Sequence, residues 1–183
     1  MKRILFSLLF AVAFINAFAQ IPPGYYNGTT GLTGAALKSK LNQIITNGHI
    51  DHGYNGLWSG YQTTDRDYYY ENDGTILDIY SENANGPDPY TFTYSTNQCG
   101  SYSTEGNCYN REHVVPQSLF NSNSPMVADI HFIRATDGKV NGMRSNYPYG
   151  KVGTASFTSL NGSKLGTSVS PGYSGTVFEP VDA

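Results

Sequence analysis

The sequence predicts a mixed α+β fold in which one amphipathic helix and a few short strands are joined by long irregular loops. Apolar residues recur at helical spacing at Leu37, Leu41 and Ile44. The segments 75–80 and 90–94 carry β-branched and aromatic residues, which are typical of short strands. The chain also contains 20 glycines and 9 prolines, which favour turns and loops between these elements.

The boundaries of further elements follow from local signals. Thr33 is a suitable N-cap for the first helix, and Gly48 a suitable stop. Residues 129–133 alternate polar and apolar side chains, which predicts a further strand. A second, weaker helix is expected to be capped by Thr136 and to run to Met143.

Residues 1–19 have the composition of a secretory signal peptide. A charged start at Lys2 and Arg3 precedes an apolar run, and small residues follow at the cleavage position. A membrane helix is less favoured because the run is shorter than the roughly 18–20 residues that span a bilayer. We therefore expect a secreted chain with a single domain over 20–183 and no further membrane segment.

Two cysteines, Cys99 and Cys108, lie nine positions apart. In an exported protein such a pair predicts one disulfide that closes a short loop. A metal site is the alternative, but the chain has no CxxC motif and its four histidines are scattered.

Charge is divided unevenly along the chain. Residues 20–110 hold three Lys/Arg and nine Asp/Glu, which gives a net charge of −6. Residues 111–164 hold six Lys/Arg and three Asp/Glu, which gives +3, so a polyanion site is expected there. The tyrosines, including those at 68–70, are candidates for stacking on bases, although half-buried strand positions are the commoner role of tyrosine.

Glu112 and His113 are candidates for chemistry on a phosphodiester. Histidine can deprotonate water at neutral pH, and a hard cation on oxygen ligands can neutralise charge on the phosphate. Neighbours on a strand point to opposite faces, so both can serve one site only if the strand ends there, as Pro116 suggests. A crossing helix could then present the amide oxygen of Asn141. Taken alone, these residues also fit a surface pair and a turn.

Three ordered motifs carry a family resemblance. Residues 108–118, 129–133 and 136–150 resemble, in this order, the endonuclease I family of periplasmic and extracellular nucleases, and the run 78–81 also fits. The resemblance is dense from 99 to 152 and thin elsewhere. It implies an α+β fold with a ββα-metal (His-Me) finger embedded in helices and long loops.

The resemblance also implies roles for individual residues. His113 would be the general base, while Glu112 and Asn141 would bind Mg²⁺, with Ca²⁺ or Mn²⁺ as alternatives. Arg144 would assist catalysis at the phosphate, and Asn146 would contact the phosphate.

Other matching positions would support the site from a distance. Asp129 and His131 would orient waters or metal ligands. Lys139, and more peripherally Arg134, would attract the phosphate backbone. Residues 114–128 contain no Lys or Arg, whereas some family members have a phosphate-binding arginine between the two motifs.

Together these observations predict a secreted, monomeric, Mg²⁺-dependent endonuclease that cleaves DNA and RNA with little sequence specificity. No recognition-helix or zinc-finger pattern occurs, so contacts to phosphate and shape should dominate. In the family a stretch like 178–180 leads into a further helical segment, so the domain is expected to be truncated at its C-terminal end. The alternatives are a cell-surface or carbohydrate-binding module and a small-molecule phosphodiesterase.

Overall fold

A computed structural model describes residues 21–100 and 103–181. The chain divides into two compact units, Met1–Ile50 and Asp51–Ala183. The predicted signal peptide lies outside the described residues. Within the part of the chain that the structure describes, no helix is long and apolar enough to cross a membrane.

The first unit contains helix α1, Gly34–Thr46. Its position confirms the helix predicted from the apolar spacing. Thr33 is the N-cap residue, but its side chain makes no capping hydrogen bond. Gly48 follows the helix with φ of 78°, a left-handed conformation that glycine adopts without steric cost, so the predicted stop is also confirmed.

The second unit opens with helix α2, Gly53–Thr64, which the sequence did not predict. It buries Leu57 and Tyr61 against a core that includes Ile76 and Phe92. Three glycines interrupt its sequence, and glycine is a poor helix former. Tertiary packing therefore stabilises this helix more than its own propensity does.

The prediction of strands at 75–80 and 90–94 is wrong, since both segments are irregular. They contact each other through one backbone hydrogen bond, in which Ile76 N donates to Phe92 O at 2.9 Å. Ile76, Tyr80 and Phe92 are all buried. The apolar and aromatic residues that suggested strands are thus used for packing rather than for a ladder.

A two-stranded antiparallel sheet and the helix after it position most of the predicted site. Strand β1, Tyr109–His113, pairs with β2, Ile133–Asp137, so that His113 lies opposite Ile133. Helix α3, Gly138–Arg144, follows β2 directly. Its N-cap is Asp137, whose side chain accepts a hydrogen bond from Val140 N.

Two boundary predictions in this region are corrected. The strand lies four residues later than the predicted 129–133, because 129–132 form a turn in which Asp129 O accepts hydrogen bonds from Phe132 N and Ile133 N. Thr136 belongs to β2, and the stronger acceptor Asp137 caps α3 in its place. Short 3₁₀ helices at Gln117–Leu119 and Met126–Ala128 lie between the strands.

A second sheet contains β3, Val152–Thr158, β4, Lys164–Ser168, and β5, Thr176–Glu179, in antiparallel order. Gly166 is required there, because a Cβ at this position would lie 2.1 Å from the backbone oxygen of Thr154. Leu165 and Phe178 pack with Tyr80 and Val140, which joins this sheet to α3.

The predicted disulfide is confirmed. Cys99 and Cys108 are bonded, with their Cα atoms 5.7 Å apart. Backbone hydrogen bonds from Cys99 N to Tyr109 O and from Tyr109 N to Asn97 O fasten the same loop to the start of β1. The covalent link and the backbone bonds together anchor the strand that carries Glu112 and His113.

Candidate active site

A cavity of about 240 Å³ opens where β1 ends beside α3. Five of the residues expected at the site line it: Glu112, His113, Asn141, Arg144 and Asn146. The other lining residues are Arg111, Pro116, Gln117, Gly142 and Ser145. Strand, turn and helix therefore bring together side chains that are up to 35 positions apart in the sequence.

The end of β1 explains how adjacent residues serve one cavity. Glu112 and His113 are both buried, at 2% and 5% exposure, although neighbours on a regular strand point to opposite faces. The strand ends at His113, and the chain bends before Pro116 and the 3₁₀ helix that follows. This is the local geometry that the Glu-His-x-x-Pro pattern predicts.

The carboxylate of Glu112 is held by buried donors. Tyr80 Oη donates to Oε1 at 2.6 Å, and Arg144 Nη1 lies 3.0 Å from the same oxygen. Burial raises the pKa of Glu112 to about 7, although the charge of Arg144 and the tyrosine hydroxyls act in the opposite direction. A cation brought to this carboxylate would favour its charged form.

His113 has defined partners on both ring nitrogens. Nε2 lies 3.3 Å from the carbonyl oxygen of Val127, and Nδ1 lies 3.2 Å from the amide nitrogen of Gln117. A carbonyl can only accept, which places the imidazole proton on Nε2 and leaves Nδ1 as the acceptor. Burial lowers the pKa of His113, and the cations Arg111 and Arg144 lower it further, against the hydrogen bond to Val127. The ring also stacks on Tyr54, with centroids 5.7 Å apart.

Asn141 lines the cavity from α3. Its Nδ2 donates to Asn110 Oδ1 at 2.6 Å, which fixes the orientation of the amide, so Oδ1 is the atom of this side chain that could bind a cation. A carboxylate and an amide oxygen form a hard donor set that suits Mg²⁺, which keeps several waters when it binds to proteins. The donors present at the cavity therefore fit a magnesium ion better than zinc.

Arg144 is buried, whereas a residue that contacts the phosphate is expected to be accessible from the cavity. Its guanidinium is 2% exposed and donates to His113 O at 2.9 Å and to Val114 O at 2.7 Å. It also contacts Ser145 O and lies 4.7 Å from the ring centre of Tyr149. Since these groups and Glu112 occupy the terminal nitrogens, the arginine joins the end of β1 to α3.

Comparison with known proteins identifies the family. The model of the family described as Endonuclease I matches residues 33–183. This chain belongs to the endonuclease I family. The match covers α1 and the entire second unit, including every residue that lines the cavity.

Curated relatives of this endonuclease I chain are extracellular ribonucleases of two bacilli. The protein of Bacillus subtilis (strain 168) is 33% identical over 137 residues, which are 71% of this chain and 41% of the relative. The protein of Bacillus amyloliquefaciens is 30% identical over 132 residues, which are 71% of this chain and 40% of the relative. The chain thus spans about two fifths of the length of these relatives. No solved structure matches it.

The family motif contains a cation that the sequence analysis did not single out. Arg111 directly precedes Glu112 and lines the cavity, with its guanidinium carbon 3.5 Å from the ring centre of Tyr54 and 4.3 Å from that of Trp58. Nη1 donates to Tyr54 O at 2.9 Å, whereas Nε is buried without a partner among the described residues. Its position next to the Glu-His pair was the only sequence signal for it.

Other expected members of the endonuclease I site lie outside the cavity lining. Asp129 and His131 pair with each other at 2.8 Å on the turn before β2, and the side chain of His131 is 91% exposed. Arg134 lies near Asp65, with 3.6 Å between Nη1 and Oδ2. Lys139 is on the first turn of α3, where its charge acts on Asp137.

Proposed function

We propose that this chain is a metal-dependent endonuclease that hydrolyses phosphodiester bonds of DNA and RNA with little sequence specificity. The observation that carries the proposal is the convergence of Glu112, His113 and Asn141 on one cavity, beside the cation Arg111. Membership of the endonuclease I family supports the same reaction class. The sheet of β1 and β2 followed by α3 is the arrangement expected of a ββα-metal finger.

His113 acts as the general base in this proposal. Its lowered pKa keeps the imidazole neutral at neutral pH, as proton abstraction requires. With Nε2 anchored on the carbonyl of Val127, Nδ1 is the atom that takes the proton from water. Gln117 donates to Nδ1 in this structure, so its amide has to move away when a water binds to Nδ1. Stacking on Tyr54 and the ordered end of β1 hold the ring in place.

Glu112 and Asn141 would hold the magnesium ion, with Ca²⁺ or Mn²⁺ as alternatives. When bound, the ion supplies Lewis-acid stabilisation of charge on the phosphate and the leaving oxygen. Arg144 and Tyr80 keep the carboxylate of Glu112 in position, and Asn110 does the same for the amide of Asn141.

Phosphate contact is assigned to Arg111 and Asn146 at the cavity. Arg111 lies close enough to His113 for its charge to lower the pKa of the imidazole, and its guanidinium stacks on Tyr54 at the cavity. Asn146 is exposed at the cavity after α3. Arg144 has a positioning role because both of its terminal nitrogens are already used by Glu112 and by backbone carbonyls. Lys139 contributes long-range charge.

The substrate class and the compartment follow from wider features. The net charge of +3 over 111–164 favours a polyanion at the cavity, and the relatives are named extracellular ribonucleases. The leader-like residues 1–19 support secretion. We expect a monomer that binds nucleic acid mainly through phosphates, with little sequence specificity.

Plasmid and RNA cleavage test the proposal directly. The chain from Gln20 is incubated with supercoiled plasmid or with RNA, in Mg²⁺ and in EDTA, next to the His113→Ala variant. We expect Mg²⁺-dependent cleavage and a loss of roughly a thousandfold in rate for His113→Ala. His131→Ala is the matched control, because this exposed histidine lies off the cavity and should leave the rate unchanged. Equal rates in EDTA, or an active His113→Ala variant, would refute the proposal.

A small chromogenic diester separates a nuclease from a small-molecule phosphodiesterase. Preference for the long polymer is expected, because the basic segment contributes phosphate contacts beyond the scissile bond.

A further inference from the structure

Three carboxylates converge in the acidic half of the chain, away from the nuclease cavity. One oxygen from each of Glu71, Glu82 and Asp88 lies within 4.8 Å of the other two. None of these residues lines the candidate active site. We propose that they form a structural calcium site that is independent of the nuclease centre.

The environment of Glu82 indicates that the three carboxylates bind a cation. It is 4% exposed, and its Oε1 is buried without a hydrogen-bond partner among the described residues. None of the ion pairs found in the described part of the chain involves Glu71, Glu82 or Asp88. A buried carboxylate oxygen with neither a donor nor a cation is strongly unfavourable, and two further carboxylates nearby add repulsion. A bound cation removes both costs.

The surrounding backbone brings the three groups together. The carboxylate of Asp67 accepts hydrogen bonds from Tyr69 N, Tyr70 N and Asn72 N, which fixes the turn that carries Glu71. Asp88 Oδ1 accepts from Asn83 N at 2.8 Å, which ties Asp88 to the residue after Glu82. This contact leaves Oδ2 of Asp88 available as a ligand.

The donor set and its spacing favour calcium. Calcium takes oxygen ligands at roughly 2.3–2.6 Å in flexible geometry, so two ligands on opposite sides of the ion can be up to about 5 Å apart. The observed limit of 4.8 Å lies inside that range. Magnesium demands a tighter octahedron at about 2.0–2.1 Å and retains its waters, while zinc prefers histidine or cysteine. No histidine or cysteine belongs to the cluster.

Thermal unfolding of the full-length chain tests the site without using activity. The melting temperature is measured in 1 mM CaCl₂ and in EGTA for the unchanged protein and for Glu71→Gln and Glu82→Gln. We expect calcium to raise the melting temperature of the unchanged protein by about 5 °C or more. Both variants should lose that rise. Glu71 is exposed, so Glu71→Gln keeps the test decisive if the buried Glu82→Gln variant folds poorly.

Two control variants separate this site from other effects of calcium. Asp51→Asn removes one exposed carboxylate from the same acidic half and keeps the oxygen that accepts from Gly53 N, so it should retain the full rise. Asn141→Ala removes a ligand of the proposed nuclease metal and should also retain it. A rise that survives in Glu71→Gln, that disappears in Asn141→Ala, or that is absent from the unchanged protein would overturn the proposal.

Terbium luminescence provides a direct binding measurement. Tb³⁺ replaces calcium on oxygen ligands, and Tyr70, next to Glu71 in the chain, can transfer excitation to it. The measurement is made in the Asn141→Ala background, because Tb³⁺ at the nuclease site would also be excited through Tyr80, which contacts Glu112. There we expect emission on excitation of tyrosine that calcium displaces and that Glu71→Gln reduces at least tenfold. Emission in this background that is equal with and without Glu71→Gln would contradict the assignment. Because neither measurement involves cleavage, failure here leaves the proposed nuclease activity untouched, and the reverse also holds.

Discussion

Arg144 joins three parts of the candidate site through one buried guanidinium. It pairs with Glu112 and donates to the backbone of His113 and Val114, where β1 ends. A buried ion pair is weak evidence of net stabilisation, but removal of one partner leaves an uncompensated charge. The arginine therefore fixes the orientation of Glu112 and of the turn that follows His113.

The Arg144→Lys variant should lose both stability and activity. Lysine keeps the charge but not the planar fork, so the bonds to the two carbonyls and to Glu112 cannot all form. We expect the free energy of unfolding to fall by about 3 kcal/mol, as measured by urea denaturation. Arg134→Lys is the matched control, because Arg134 is half exposed and its carboxylate partner is 3.6 Å away. A similar loss of unfolding free energy in both variants would argue against a special role of Arg144 in holding Glu112 and the end of β1.

Arg111 should act on substrate binding instead. In Arg111→Gln we expect KM for RNA to rise about tenfold, because one charge-assisted phosphate contact is lost. The slope of log KM against log salt should also fall by roughly 0.7–0.9. Steady-state kinetics at several salt concentrations measure both effects. Lys139→Ala removes a charge that lies outside the cavity lining, so it should change KM much less. An equal rise in KM would mean that Arg111 acts by long-range electrostatic attraction and not by a direct contact with phosphate.

The sequence predicted site residues best where a single turn between neighbouring residues determines their arrangement. Glu112 and His113 were expected to share a site because Pro116 follows them, and the structure brings both into one cavity with Asn141. Tyr80 and Gln117 could not be expected, because their contacts with Glu112 and His113 depend on loop paths that have no periodic signal. Asp129 and His131 looked equally suitable by composition, yet they pair with each other on an exposed turn.

At the scale of elements, predictions succeeded where local chemistry decides the structure. The position of helix α1 was predicted from its apolar spacing. Its end was predicted from Gly48, because glycine readily adopts the left-handed conformation that this residue has. Helix α2 was missed because its glycines conceal the periodicity. The segments 75–80 and 90–94 have strand-like composition but find their partners through side-chain packing. Propensity alone cannot distinguish those two uses of aromatic residues.

Asp137 is the last residue of β2 and the N-cap of α3, so its substitution should destabilise the junction between the sheet and the helix. Its carboxylate accepts from Val140 N and from Gly106 N, each at 2.8 Å, and the residue is fully buried. Asp137→Ala should lower the free energy of unfolding by about 2–3 kcal/mol, because a helix cap is lost and the Gly106 donor is left unpaired. Urea denaturation followed by the fluorescence of Trp58 measures the change.

The control for this change is Asp129→Ala. Asp129 also accepts a backbone hydrogen bond, from His131 N, but it does so on an exposed turn, where its side chain caps no α-helix. We expect a loss below about 0.5 kcal/mol there. A similar loss in both variants would mean that capping of α3 contributes little to stability.

At the scale of the whole molecule, charge is segregated by role. The acidic segment 20–110 contains the proposed calcium ligands, whereas the basic segment 111–164 contains the cavity. The overall net charge of −3 conceals this division. Charge counted by segment therefore predicts that a polyanion binds at the cavity, but it gives no sign that Glu71, Glu82 and Asp88 meet.

Buried carboxylates also make the stability of the molecule depend on pH, and Asp65 allows this to be measured. Asp65 is 1% exposed, and burial raises its pKa, although hydrogen bonds from Thr64 and Ala135 and the charge of Arg134 partly offset the effect. The folded protein thus holds this proton more tightly than the unfolded chain does. Its contribution to stability is fully present below the unfolded pKa, near 3.9, and is lost as the pH rises through the folded value.

Comparison with Asp65→Asn isolates that contribution, because asparagine does not titrate. The free energy of unfolding of the unchanged protein minus that of the variant should decrease as the pH is raised from 4 to 7, measured by urea denaturation in a chelating buffer. Glu179→Gln gives the opposite expectation: hydrogen bonds from Lys151 and Val152 lower the pKa of Glu179, so its contribution is lost as the pH falls. Two differences that change in the same direction would mean that burial does not control the ionisation of Asp65.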